Sequence, residues 1–432
     1  MTFMHTFTKP RFKTLSISYL FVFFLLSGCS SIRKGIHSEL GKENLENSFH
    51  GFVVMDATSK KVIHNTNGDK YFTPASNTKL VTFYTGIKLL PKHIPTLKYA
   101  IANDTLFIEG TGDPSWLHPH LYDSTAINWL KKQATLALYT ENTDELRYGP
   151  GWAWEDYDTY FSPEKTTIPL HGNVVTLSNS DSLGLQVSPN LFLDKTEIKE
   201  HTFKRDEFAN RFYIAPTEQD TLEVPFMTSD SLTQRLLETA LGKSIALTNH
   251  FPDGPKQTLY GMETDSIFKQ MLFKSDNFLA EQLLMTASSM ISDTLGTQRA
   301  IDYMLENDLA DLEQKPRWVD GSGLSRYNLF TPLSFVQILE KLHEEVPEER
   351  LFDIMPMWGP HSTVKEWEDP TTKPFLFAKS GSVGNNYNLS GYVRTKSGKL
   401  LIFSFMNNHF RIPSLEIRKT IYTTLKELYE RY

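Results

Sequence analysis

Phe72-Thr73-Pro74-Ala75-Ser76-Asn77-Thr78-Lys79-Leu80-Val81-Thr82-Phe83 is the stretch on which the reading of the chain turns. Pro74 ends an extended run, and the apolar residues beyond it, Leu80, Val81, Tyr84, Ile87 and Leu90, recur at helical spacing. The spacing predicts a buried helix with Ser76 in its first turn. Lys79, three residues on, falls on the same face within reach of the Ser76 hydroxyl. A serine hydroxyl needs an adjacent base to act as a nucleophile near neutral pH, and a lysine in a desolvated pocket can be neutral enough to serve. Taken alone, the tetrapeptide fits a helix cap followed by a solvated lysine more readily than a catalytic pair, so the rest of the chain decides.

On the N-terminal side, Phe52-Val53-Val54-Met55 and Val62-Ile63 flank a polar turn, which predicts two strands leading into the helix. Residues 29–48 form a polar tether. Ahead of it, basic Lys9, Arg11 and Lys13 precede an apolar run from Leu15 to Leu26 with the profile of a secretory signal, too short for a comfortable membrane span. Leu26-Ser27-Gly28-Cys29 resembles the lipobox of bacterial lipoproteins. Residues 1–28 are therefore expected to be a signal peptide and Cys29, the only cysteine, a lipidation site. This resemblance implies a protein of the bacterial cell envelope, lipid-anchored on the periplasmic side of the inner or the outer membrane. A lone cysteine allows no disulfide framework.

On the C-terminal side the texture changes after Pro91. Short apolar runs such as Thr105–Glu109 and Val174–Leu177 alternate with glycine-rich turns, predicting a β-rich region over residues 97–253 that Gly254-Pro255 closes. Helical spacing returns with Ile267, Met271, Leu272, Phe278, Leu279, Leu283 and Leu284, and again from Leu333 to Leu342 after Pro332. Residues 375–379, 388–393 and 400–405 predict three strands, and a closing helix follows Pro413. Residues 49–96 and 254–432 then form an α+β domain, an antiparallel sheet flanked by helices and interrupted by the β-rich insertion. The formal net charge of −7 argues against nucleic acid as a partner.

Two short motifs complete the picture. Ser275-Asp276-Asn277 sits in the helical return segment, and Lys379-Ser380-Gly381-Ser382 ends a strand. With Ser76 and Lys79 they resemble, in order, the Ser-Xaa-Xaa-Lys, Ser-Xaa-Asn and Lys-Thr-Gly motifs of penicillin-binding proteins and serine β-lactamases. The resemblance implies that transpeptidase-like fold, with Ser76 as nucleophile, Lys79 as its base, and Ser275 with Lys379 relaying a proton to the leaving amine. Asn277 would offer its amide to the substrate backbone, and Ser380, in place of the commoner threonine, would help bind a substrate carboxylate. Gly381 lets the strand approach closely, and the N–H groups of Ser76 and Ser382 are the expected oxyanion donors.

Gly110-Thr111-Gly112-Asp113-Pro114, residues 149–156 and Asp320-Gly321-Ser322-Gly323-Leu324-Ser325-Arg326 narrow the resemblance to the D-alanyl-D-alanine carboxypeptidase/endopeptidase family, the class C low-molecular-mass penicillin-binding proteins. Membership would imply action on peptidoglycan stem peptides ending in D-Ala-D-Ala, acylation by β-lactams, no cofactor or metal, and an insertion between the first two motifs. It would also place Asp156, Phe161 and Arg326 around the side chain of the diamino acid. Gly384 departs from relatives that carry a longer polar residue there. A β-lactamase is disfavoured by the long insertion and by the lack of an evident Glu-based deacylation motif. A non-catalytic wall-binding lipoprotein is disfavoured by the intact Ser76, Lys79, Ser275, Asn277 and Lys379. His118-Pro119-His120 lacks further metal ligands at suitable spacing and reads as a loop, and Gly321-Ser322-Gly323 as a turn.

Overall fold

The computed structural model describes residues 48–180, 182–357 and 374–432. The expected signal peptide, Cys29 and nearly all of the tether lie outside the described residues. The chain starts with the hairpin β1 (Phe49–Asp56) and β2 (Val62–Thr66), then enters α1 (Thr78–Leu89) through a 3₁₀ turn at Ala75–Asn77. It continues through β3 (His93–Ala102), β4 (Thr105–Gly110), α2 (Thr125–Lys131), β5 (Leu136–Tyr139), β6 (Val174–Ser180) and β7 (Gly184–Ser188). Next come β8 (Thr196–Ile198), β9 (Phe212–Ile214), β10 (Leu222–Pro225), α3 (Asp230–Leu241), β11 (Ala246–Thr248) and β12 (Gln257–Glu263). The return segment holds α4 (Thr264–Lys274), α5 (Asn277–Ser288), α6 (Thr297–Glu306), α7 (Pro332–Glu345) and α8 (Glu348–Ile354). The chain ends in β13 (Leu376–Val383), β14 (Asn386–Arg394), β15 (Leu400–Asn408) and α9 (Ser414–Arg431).

The five-stranded sheet has the order β13-β14-β15-β1-β2, every neighbouring pair antiparallel. The N-terminal hairpin thus adds to the C-terminal meander, with Phe49 opposite Asn408 and Asp56 opposite Leu401. β15, at the centre, is buried along its whole length, which explains its continuous apolar run. One face, with Phe52, Val54, Leu389 and Phe403, packs on Ile417, Ile421, Leu425 and Leu428 of α9. The other face, with Val53, Met55, Ile402 and Met406, packs on α1, α5 and α7. Leu80, Val81, Phe83 and Tyr84 of α1 are all buried there, each stabilising the fold by about 1.5–3 kcal/mol.

The inserted part contains sheets of order β11-β5-β4-β3-β12, β10-β6-β7 and β8-β9, sharing a core with α2 and α3. Two expectations need correction. β12 pairs with β3, so the larger inserted sheet runs from residue 93 to residue 263, past the boundaries expected at 97 and 253. Gly254 and Pro255 mark a bend; they do not say which sheet takes the next strand. The expected helical return is also broken at Ser275, whose φ of 56° is left-handed. Asp276 starts the next helix by accepting a hydrogen bond from Leu279 N at 3.0 Å. Ser275-Asp276-Asn277 is therefore a corner between α4 and α5, and Ser275 does not lie on a helix.

Candidate active site

The nucleophile turn is pinned to the sheet by side-chain amides. Asn388 Nδ2 donates to the carbonyls of Thr73 and Pro74 at 2.9 Å each, and Thr73 N donates to Asn408 Oδ1 at 2.7 Å. Asn77 Nδ2 donates to Ser390 Oγ at 2.7 Å. Ala75, held in between, has a left-handed φ of 48°, a conformation costing on the order of 1 kcal/mol for a residue with a Cβ. It persists because both flanks are anchored: the Thr78 hydroxyl donates to the Ala75 carbonyl at 2.9 Å.

Lys79 is fully buried and its ammonium has three acceptors: Ser76 Oγ at 3.0 Å, Asn277 Oδ1 at 2.7 Å and the Ser322 carbonyl at 2.8 Å. Burial lowers its pKa from 10.5 to about 8, against the opposing charges of Asp276, Asp320 and Glu281. When the ammonium loses a proton, its lone pair needs a donor. The Asn277 and Ser322 oxygens are carbonyls, so the Ser76 hydroxyl is the one partner of the three with a proton to give. This is the geometry that a serine nucleophile and a lysine base require.

Asn277 is oriented from its other end, Nδ2 donating to the Phe161 carbonyl at 3.0 Å. One of its two N–H groups is thus spent on the insertion, and its oxygen faces Lys79. Lys379 is also buried and donates to the Ser380 carbonyl at 2.6 Å. Burial, and then the charge of Lys79, hold it well below the ordinary lysine range.

β13 presses on the nucleophile turn at Gly381, where an added Cβ would lie 2.6 Å from the Pro74 carbonyl oxygen and 2.9 Å from Ser76 N. β13 is also an edge strand. Ala378 N donates away from the sheet, to the Pro356 carbonyl at 2.8 Å. The period of two along a strand then puts the N–H of Ser382 on the same open edge. Ser382 and Ser76 line one cavity of about 630 Å³, together with Ser275 and Asn277.

The loop at residues 320–328 closes the site from below. Asp320 Oδ1 accepts from Gly323 N at 2.9 Å and Asn328 Nδ2 at 2.6 Å, and Oδ2 accepts from Ser325 N at 2.6 Å and Trp152 Nε1 at 3.0 Å. Gly321-Ser322-Gly323 is the expected turn, and it also delivers the Ser322 carbonyl to Lys79. A backbone contact of this kind has no residue type to announce it in the sequence.

Of the residues expected around the substrate side chain, Asp156 and Phe161 line the cavity. Burial, then the charges of Glu155 and Asp158, raise the Asp156 pKa, and Arg326 opposes them. Arg326 is exposed and lies over Gly384: a Cβ there would be 2.9 Å from Arg326 Nη2, so the guanidinium occupies the space a side chain at 384 would need. His118 is buried against Phe278, while His120, on the cavity wall, shares a 2.6 Å hydrogen bond with Glu223. Burial pushes the His118 pKa down to about 4.

Comparison with known proteins bears on this arrangement. The model of the D-Ala-D-Ala carboxypeptidase 3 (S13) family matches residues 32–208 and 248–428. D-alanyl-D-alanine carboxypeptidase DacB of Haemophilus influenzae is 23% identical over 96% of this chain and 99% of its own length. The crystal structure of penicillin binding protein 4 from the same organism superposes with a TM-score of 0.70 at 20% identity, covering 92% of this chain and 99% of that one. That protein has also been solved complexed with a β-lactam, a form that superposes with a TM-score of 0.63 at 19% identity over 93% and 99% of the two chains. A predatory peptidoglycan endopeptidase of Bdellovibrio bacteriovorus superposes with a TM-score of 0.51 at 17% identity, covering 88% of this chain and 93% of that one. At such identities the superpositions establish the penicillin-binding-protein fold.

Proposed function

The chain belongs to the D-Ala-D-Ala carboxypeptidase 3 (S13) family of serine peptidases, and on that footing we propose that it cleaves peptidoglycan stem peptides through an acyl-enzyme on Ser76. The observation that carries the reading is Lys79, buried, partly neutral, and bonded to one hydroxyl and two carbonyls. In this mechanism Ser76 Oγ attacks the carbonyl of the penultimate D-alanine while its proton passes to Lys79. The Ser76 and Ser382 N–H groups receive the oxyanion. The C–N bond then breaks, Ser275 and Lys379 deliver a proton to the leaving amine, and water hydrolyses the ester to free Ser76. In this reading Asp156 and Phe161, which line the cavity, meet the diamino-acid side chain together with Arg326, and Ser380 binds a carboxylate. A β-lactam presents its ring amide to the same serine but keeps its leaving amine tethered, so the acyl-enzyme accumulates.

Incubation with a fluorescent penicillin should label the wild type covalently and leave Ser76→Ala unlabelled. Equal labelling of the two would sink the proposal, and rapid release of the penicilloyl group would point to a β-lactamase instead. Mass spectrometry of digested muropeptides then counts free D-alanine against split cross-links. The same reading anchors the chain in the envelope through a lipid on Cys29. Cys29→Ser should move the protein from the membrane fraction to the soluble one, and an unchanged distribution would remove the anchor from the account.

A further inference from the structure

We propose that Glu281 is a positioning residue for the general base: it clamps the backbone of Gly321 and Ser322 so that the Ser322 carbonyl stays on Lys79 Nζ. The inference rests on the reading of Lys79 as the base. Glu281 lies one helical turn beyond Asn277 on α5, and therefore on the same face. It is almost fully buried, 1% exposed. Both of its oxygens are committed to the loop, Oε2 accepting from Gly321 N at 3.1 Å and Oε1 from Ser322 N at 2.7 Å. The loop rests directly on the helix backbone, since a Cβ on Gly321 would lie 2.7 Å from the Ala280 carbonyl oxygen. The carbonyl of the clamped Ser322 then meets Lys79 at 2.8 Å.

α5 thus holds the base twice, directly through Asn277 Oδ1 and indirectly through Glu281 and the loop. A carboxylate buried this deeply costs several kcal/mol unless hydrogen bonds and charge compensate it. The two backbone bonds and Lys165 supply part of that compensation, Lys165 being paired with Glu145 at 2.6 Å. Burial first, and Asp320 second, still raise the Glu281 pKa, with Lys165 opposing. The charges facing Lys79 are Asp276, Asp320, Glu281 and Lys379. Ionised, Glu281 adds a negative charge that favours the ammonium form of Lys79.

The test is the pH profile of Ser76 acylation for wild type, Glu281→Gln and Glu281→Asp, read with a fluorescent penicillin and with a fluorophosphonate, alongside thermal melts. The wild-type rate should rise with pH as Lys79 becomes neutral, with a midpoint near 8. Glu281→Gln removes the charge and turns one acceptor into a donor aimed at an N–H. Its limiting rate should fall by about tenfold or more as the Ser322 carbonyl drifts. Its midpoint should move to lower pH, because the ammonium has lost a favourable neighbour. Glu281→Asp keeps the charge with a shorter reach, so its midpoint should stay near the wild type's while its limiting rate falls.

Wild-type rate and midpoint in Glu281→Gln would overturn the proposal, and so would a lower rate with an unmoved midpoint, the mark of general structural damage. If Glu281→Gln shows no cooperative melt, Glu281→Asp decides, a wild-type limiting rate counting against the proposal. A wild type that takes the fluorophosphonate but not penicillin would refute the proposed function alone, because the fluorophosphonate profile still reports on Glu281.

Discussion

Lys79→Met should lower acylation of Ser76 by about 10³- to 10⁴-fold at pH 8 while leaving the melting temperature within a few degrees of the wild type. The rate falls because the Ser76 hydroxyl loses the amine that would take its proton. Stability changes little because two effects oppose. A buried lysine whose pKa drops from 10.5 to about 8 costs about 3 kcal/mol at neutral pH. Methionine removes that cost and fills similar space, but it leaves Asn277 Oδ1 and the Ser322 carbonyl without their donor, at roughly 1–3 kcal/mol each. The sign with pH is also fixed. Between pH 8 and 10.5 the unfolded chain keeps a proton on Lys79 that the folded one has shed, so the penalty is full below the folded pKa and fades as pH rises toward the unfolded one. Lys79→Met should erase that rise in stability. Labelling kinetics and melts at pH 7 and 10 check both halves, and a wild-type acylation rate in the variant would assign the base elsewhere.

Gly323→Ala should be the most damaging small substitution around the site, lowering the melting temperature by several degrees and acylation by about 10²-fold. Gly323 has a φ of 81°, where any Cβ is strained, and the added carbon would sit 1.9 Å from the Ala75 carbonyl oxygen and 2.4 Å from its carbon. That neighbour is backbone, one residue before the nucleophile, held through Asn388 and Asn408 on the sheet. It has nowhere to retreat, so the strain must appear as a displaced Ser76 or a lost loop. Gly384→Ala is the matched control. Its φ of 53° brings similar backbone strain, but the nearest atom is the tip of the exposed Arg326 side chain at 2.9 Å, which can swing away. Equal losses in the two variants, read by calorimetry and labelling, would show that backbone strain alone, and not the contact with Ala75, governs Gly323.

Much of the site is legible in the sequence because its chemistry depends on side-chain types. Ser76, Lys79, Ser275, Asn277 and Lys379 are recognisable in order, and the apolar runs of β1, β14 and β15 announce a buried sheet. The unread parts depend on backbone or on distant pairing. The left-handed corner at Ser275 is carried by a residue that seldom adopts it, so a continuous helix was the natural expectation. The Ser322 carbonyl could belong to any residue. Glu281 reads as an ordinary polar position until the loop that covers it is in place. α3 carries legible marks, the Ser229 cap on Leu232 N at 3.2 Å and Gly242 at its end, but they sit inside a stretch whose turns and short runs favour strands. Nothing local in Gln257–Glu263 says that it pairs with β3.

The pairing of β1 with β15 also sets an order of events in time. Beyond its hairpin with β2, the first strand gains its second partner only when β15 has been synthesised, whereas β3 and β12 pair within the inserted sheets. The inserted sheets hold all their own strands long before the main sheet does, so they can close first. Ser76 and Lys79 emerge early but stay apart from the strand that carries Lys379 until the last segment arrives. The cavity that holds Ser76 is therefore incomplete until that segment has paired, because Ser382 and Val383 on its wall arrive with β13.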